Sequence, residues 1–169
     1  MPDINILWIA LCKKDKNAQH IFSRKNEIAI QKIYSVDANQ ITFAITKNKP
    51  NLICFDYDFP DVPGLQLLRQ IRLDHPGIPV IMLTLQHSEN LAVWAFRTGV
   101  RNYLIKPLEA KSVIEEINQL SIQSRSRSIK PRVNLLRRCQ IPKEFHCSPT
   151  ALLSKRTIQA INYVQAHFQ

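Results

Sequence analysis

The sequence predicts an α/β fold, a doubly wound five-stranded parallel sheet with helices on both faces. Strand-like and helix-like patterns alternate along residues 1–121. The apolar run Leu52–Phe55 is continuous, as in a parallel strand covered on both sides. Three apolar runs also end abruptly on polar residues, at Asp56, Thr84 and Lys106. In parallel sheets ligands and chemistry gather at the carboxyl ends of the strands.

The elements follow in order. A first strand is read at Ile4–Leu11, and Lys16–Lys25 then shows the three-to-four spacing of an amphipathic helix. A second strand near Gln31–Val36 leads into a helix at Ala38–Lys47. The third strand, Leu52–Phe55, stops on Asp56 and enters a loop punctuated by Pro60, Pro63 and Gly64, where Gly64 suits the turn into a helix at Leu65–Leu73. Val80–Thr84 is the fourth strand, and Ser88–Thr98 is a helix whose end suits Gly99. The fifth strand, Asn102–Ile105, precedes Lys106-Pro107 and a last helix at Ala110–Ser121.

Length and composition bound the reading. The chain has 169 residues, 45% of them hydrophobic, with no apolar run long enough to span a bilayer. The apolar stretch Ile4–Cys12 precedes its basic residues and has no small-residue cleavage site, so a cytoplasmic location is expected. Four cysteines, Cys12, Cys54, Cys139 and Cys147, are too scattered for a disulfide framework. Cys12 and Cys54 read as small core residues, and Cys139, His146 and Cys147 lack the paired spacing of a zinc site. The three glycines, Gly64, Gly77 and Gly99, form no phosphate-cradling loop, so an enzyme using the sheet to bind flavin has little support.

A carboxylate, a hydroxyl and an ammonium at one sheet edge could hold a phosphoryl group, with Thr84 and Lys106 stabilising its equatorial oxygens. The order Asp56, Pro60, Gly64, Thr84, Tyr103 and Lys106-Pro107 resembles the receiver domain of two-component response regulators, over roughly residues 4–120. The resemblance implies the flavodoxin-like (CheY-like) strand order 2-1-3-4-5, no enzymatic activity, and Asp56 as phosphoacceptor with Thr84 and Lys106 completing the site. It also implies Tyr103 as a switch aromatic, moving as Thr84 is drawn inward. The implied partners are a sensor histidine kinase or phosphotransfer protein, and a second copy of the chain at the last helix-strand-helix face. Arg97, Arg101 and Glu109 are candidate charges at that face.

The sequence departs from the receiver pattern at the end of the first strand. Receivers place an acidic pair there to hold Mg²⁺, whereas this chain has Ala10 and Leu11, or Leu11 and Cys12 one step on. Magnesium takes oxygen ligands, so an apolar pair weakens its binding. Asp56 and Asp58 are the candidate metal ligands that remain. Asp15, among Lys13, Lys14 and Lys16, is better explained as a helix cap. Two readings stay open: a phosphorylatable receiver, and a phosphorylation-independent module for dimerisation or protein interaction.

Charge divides the chain. Residues 1–120 carry 14 basic and 12 acidic residues, whereas residues 121–169 carry 9 basic residues against Glu144 alone. The Ser/Arg-rich stretch Ser121–Arg132 is expected to be a flexible connector that could graze DNA phosphate. The expected organisation is therefore a receiver over 1–121, a basic linker over 122–147 and a helix within 148–169. That helix carries Ile158, Ile161, Tyr163, Val164 and Phe168 on an apolar stripe. It resembles the opening helix of an AraC-type helix-turn-helix domain. The resemblance implies transcriptional control through a DNA-binding domain whose reading helices lie outside these 169 residues, and hence a truncated chain.

Overall fold

A computed structural model describes residues 4–11, 28–126 and 139–146, with the side chains of 122–126 excepted. Five parallel strands form one sheet in the order β2-β1-β3-β4-β5. They are β1 (Ile4–Ala10), β2 (Ile28–Ile33), β3 (Leu52–Asp56), β4 (Val80–Thr84) and β5 (Asn102–Ile105). The described helices are α1 (Ala38–Asn48), α2 (Val62–Asp74), α3 (Glu89–Arg97) and α4 (Ala110–Ser126), followed by a 3₁₀ turn at Lys143–Phe145. The helix expected at Lys16–Lys25 lies outside the described residues.

The sheet is covered on both sides, as its unbroken apolar strands require. On one face Leu7, Ile9, Phe55 and Met82 pack against Ile41 of α1, Leu68 of α2 and Trp94 of α3. On the other, Ile6, Trp8, Cys54 and Leu83 pack against Val113, Ile117 and Leu120 of α4. Alternate residues of β1 thus enter opposite layers, and each large buried side chain contributes about 1.5–3 kcal/mol.

Three boundaries differ from expectation for identifiable reasons. The second strand lies earlier, because its register with β1 starts at Ile4↔Ile28, and Tyr34 and Val36 are left exposed at 47% and 72%. Local β propensity at Tyr34 and Val36 lost to strand pairing. Helix α2 begins at Val62, before Leu65, since the Asp61 side chain caps it by accepting from the Gly64 amide and Pro63 tolerates the first turn. Helix α4 runs to Ser126, into the expected connector, as no Gly or Pro interrupts residues 110–130. Gly99 follows α3 at φ 85°, where a side chain would be strained.

Candidate functional site

Parallel strands that start at one edge end at the other, so β1, β3, β4 and β5 deliver their last residues to one rim. Ala10 is in register with Asp56, Asp56 with Leu83, and Thr84 with Ile105. Backbone bonds fix these ends: the Leu11 amide donates to the Asp56 carbonyl at 3.0 Å and the Lys106 amide to the Thr84 carbonyl at 2.8 Å.

The Lys106 ammonium lies 2.7 Å from Asp56 Oδ1 and 2.8 Å from Asp58 Oδ1, an ion-paired triad of two acids and one base. Asp56 and Asp58 are 3% and 7% exposed. The second oxygen of Asp56 is engaged too, since the Trp8 indole N–H donates to Oδ2 at 3.0 Å. Burial pushes the Asp56 carboxyl up from its ordinary range; Lys106 and the Trp8 bond oppose this and the Asp58 charge adds to it. Beneath it, burial also pushes the Cys54 thiol up, leaving Cys54 an inert core residue.

Thr84 is fully buried and joins the triad through backbone. Its hydroxyl donates to the Asp58 carbonyl at 3.2 Å, and the Gln86 amide donates back to Thr84 Oγ1 at 3.2 Å. The Gln86 amide also reaches the Asp58 carbonyl at 3.0 Å. Tyr103 is half-buried, and its hydroxyl donates to the Gln86 carbonyl at 3.1 Å. Gln86 therefore links Thr84 and Tyr103, and the 85–88 loop, which ends at the α3 cap Ser88, is the element both residues grip.

Asp56, Asp58, Thr84 and Lys106 converge on this rim and Tyr103 reaches its loop, but with altered partners. Asp58, expected as a metal ligand, is ion-paired with Lys106. Trp8 was missed as a site residue, although the period-2 rule places it on the same strand face as Ala10, next to Asp56. Asp15 lies outside the described residues.

Among the described residues the donor set does not fit a resident magnesium ion. Mg²⁺ needs near-octahedral oxygen ligands, usually including one or two carboxylates. Here the Lys106 ammonium already occupies Oδ1 of both acids and an indole N–H the remaining oxygen of Asp56, while β1 presents the methyl of Ala10. Among the described residues no three His, Cys, Asp or Glu side chains gather as a metal group.

Comparison with known proteins agrees with this architecture. A family model described as the response regulator receiver domain matches residues 15–118. The regulatory protein LuxO of Vibrio vulnificus is 38% identical over 69 residues, 41% of this chain and 15% of that protein. The DNA-binding transcriptional regulator NtrC of Salmonella typhimurium is 33% identical over 98 residues, 56% of this chain and 21% of that protein. The match thus spans about a fifth or less of each relative's own length. The receiver domain structure from Methanospirillum hungatei superposes with a TM-score of 0.61 at 22% identity, covering 73% of this chain and 97% of that one, and has the same fold.

Proposed function

The chain belongs to the response regulator receiver domain family, and from that premise we propose that it is the receiver module of a transcriptional regulator in which Lys106 takes the place of the metal. The observation that carries this reading is the single ammonium shared by Asp56 and Asp58 at 2.7 and 2.8 Å. In a buried site two carboxylates repel unless a cation lies between them. Lys106 supplies that cation from within the fold, and Trp8 satisfies the acceptor left over.

In this reading the signal enters as a protein contact at the rim rather than as phosphorylation of Asp56. A partner that shifts the 85–88 loop changes the grip of Thr84 and Tyr103 on Gln86, and so the face formed by α3, β5 and the start of α4. Val93, Phe96 and Ile105 are exposed there at 48%, 52% and 42%, and support that face as the surface for a second copy or another protein. Arg97, Arg101 and Glu109 are exposed beside it. LuxO and NtrC are named as regulators, which supports a transcriptional output. Residues 148–169, read as an AraC-like opening helix, would lead to it, and they lie outside the described residues. The described helices include none long and apolar enough to cross a membrane.

A second reading keeps Asp56 as the phosphoacceptor for a sensor kinase or phosphotransfer protein. It is favoured by the joint placement of Asp56, Thr84 and Lys106, which would face the transferred oxygens. Incubation with acetyl phosphate and Mg²⁺, followed by intact mass measurement of wild type and Asp56→Ala, separates the two. The metal-free reading expects no Asp56-dependent gain in mass. A stoichiometric gain lost in the variant overturns it and establishes the phosphoacceptor.

A further inference from the structure

Residues 139–146 lie beyond the family match, which ends at 118, yet they are seated on the receiver. Ile141 and Phe145, 8% and 6% exposed, enter the buried cluster formed with α2 and α3. Cys139 packs at the edge of that cluster, and its carbonyl accepts from Arg69 Nη1 of α2 at 3.3 Å. At the other end of the segment Glu144 accepts from the Ser88 hydroxyl and, at 3.1 Å, from Asn90 Nδ2. The turn between is closed by the Phe145 amide on Pro142 and the His146 amide on Lys143, both at 3.1 Å.

The polar anchor sits at a sensitive place. Ser88 caps α3, its hydroxyl accepting from the Leu91 amide, and it ends the loop whose Gln86 is held by Thr84, Asp58 and Tyr103. One residue thus touches the strap on one side and the signalling loop on the other. Two large apolar side chains hold the strap down, whereas the bonds to Glu144 exist only while Ser88 and Asn90 keep their present positions.

We propose that residues 139–146 are an intramolecular latch whose docking is coupled to the conformation of the 85–88 loop. With the loop as seen, Glu144 is engaged and residues 139–146 are pinned to the α2/α3 edge. A shift of the loop withdraws Ser88 and Asn90 and loosens the latch, releasing residues 139–146 from that edge. Coupling of this kind is reciprocal: opening the latch also loosens the α3 cap. It operates whichever event moves the loop, so it does not depend on how Asp56 is used.

Hydrogen exchange of the full chain, followed by mass spectrometry, tests this. Phe145→Ala is expected to speed exchange across 139–146 by roughly tenfold or more, and to speed the Leu91 and Ala92 amides, bonded to Ser88, by a smaller factor. Glu144→Gln, which keeps the apolar packing, is expected to do the same by about threefold. In the reverse direction Thr84→Ala, which removes one of the three holds on Gln86, is expected to speed exchange across 139–146. Unchanged exchange in α1 reports an intact fold, and Glu144→Gln carries the test if Phe145→Ala disturbs it. Protection of 139–146 that ignores Thr84→Ala overturns the coupling. Protection that ignores both latch substitutions, or that depends on protein concentration and so comes from a second copy, overturns the latch itself.

Discussion

The indole N–H of Trp8 donates to Asp56 Oδ2 across 3.0 Å, joining the middle of β1 to the end of β3 inside a buried layer. The bond puts a neutral donor from β1 on the central carboxylate, on the strand where receivers otherwise offer acidic ligands for a cation. A charged acceptor bonded in this way contributes more than a neutral pair, and leaving it unmade is costly.

Trp8→Phe is therefore expected to destabilise the fold by about 2–4 kcal/mol, from the orphaned carboxylate oxygen and the volume lost. A double-mutant cycle with Asp56→Asn, read by urea unfolding, separates the two contributions. A coupling of about 1–2 kcal/mol is expected for the bond, and additive effects would show that the indole contributes by packing alone.

Lys106→Met leaves two buried carboxylates without their cation, at an expected cost of about 3–5 kcal/mol near neutral pH. The same substitution vacates the position between Asp56 and Asp58. Millimolar Mg²⁺ is expected to raise the melting temperature of the variant and to leave that of the wild type unchanged. A Mg²⁺-dependent rise in the wild type would show that the site holds the ion with Lys106 in place.

The raised Asp56 carboxyl gives a pH dependence with a definite sign. Unfolded, it ionises near its ordinary value of 3.8; folded, it keeps its proton to higher pH. Between those points the native state binds more protons than the unfolded state, so the contribution of Asp56 to stability falls as pH rises. Asp56→Asn cannot ionise, and its melting temperature is expected to gain on the wild type as pH increases through that window and then to hold a constant lead. A lead that shrinks with rising pH would mean that Lys106 and Trp8 outweigh burial.

A Cβ at Gly64 would overlap Cε1 and Cζ of the Tyr57 ring. Gly64→Ala is expected to cost about 1–3 kcal/mol through this overlap. Adding Tyr57→Val should return part of the loss by removing the ring, although it also removes the hydroxyl bonded to Asp61. Calorimetric melting of the single and double variants measures both effects.

Much of the architecture could be read along the chain. The continuous runs Leu52–Phe55 and Val80–Thr84 marked buried parallel strands, and the parallel arrangement alone sends Asp56, Thr84 and Lys106 to one rim. Gly99 marks a helix end through backbone chemistry that acts within a few residues, whereas the Asp61 cap, which starts α2 at Val62, was not read from the sequence. The second strand was misplaced because Tyr34 and Val36 have strand propensity but find no partner, whereas Ile28 and Ile30 pair with β1. The end of α4 was misplaced because serine and arginine permit either helix or connector, and composition does not choose between them.

By itself, then, the sequence determined the layered α/β plan and the rim at which its polar strand ends meet, since both follow from local periodicity and chain direction. Tertiary structure alone decided the chemistry at that rim: Trp8 on Asp56, one ammonium between two acids, and Phe145 seated beside α3. These contacts join residues 48, 50 and more positions apart along the chain. They depend on strand register and side-chain placement, which no local pattern encodes.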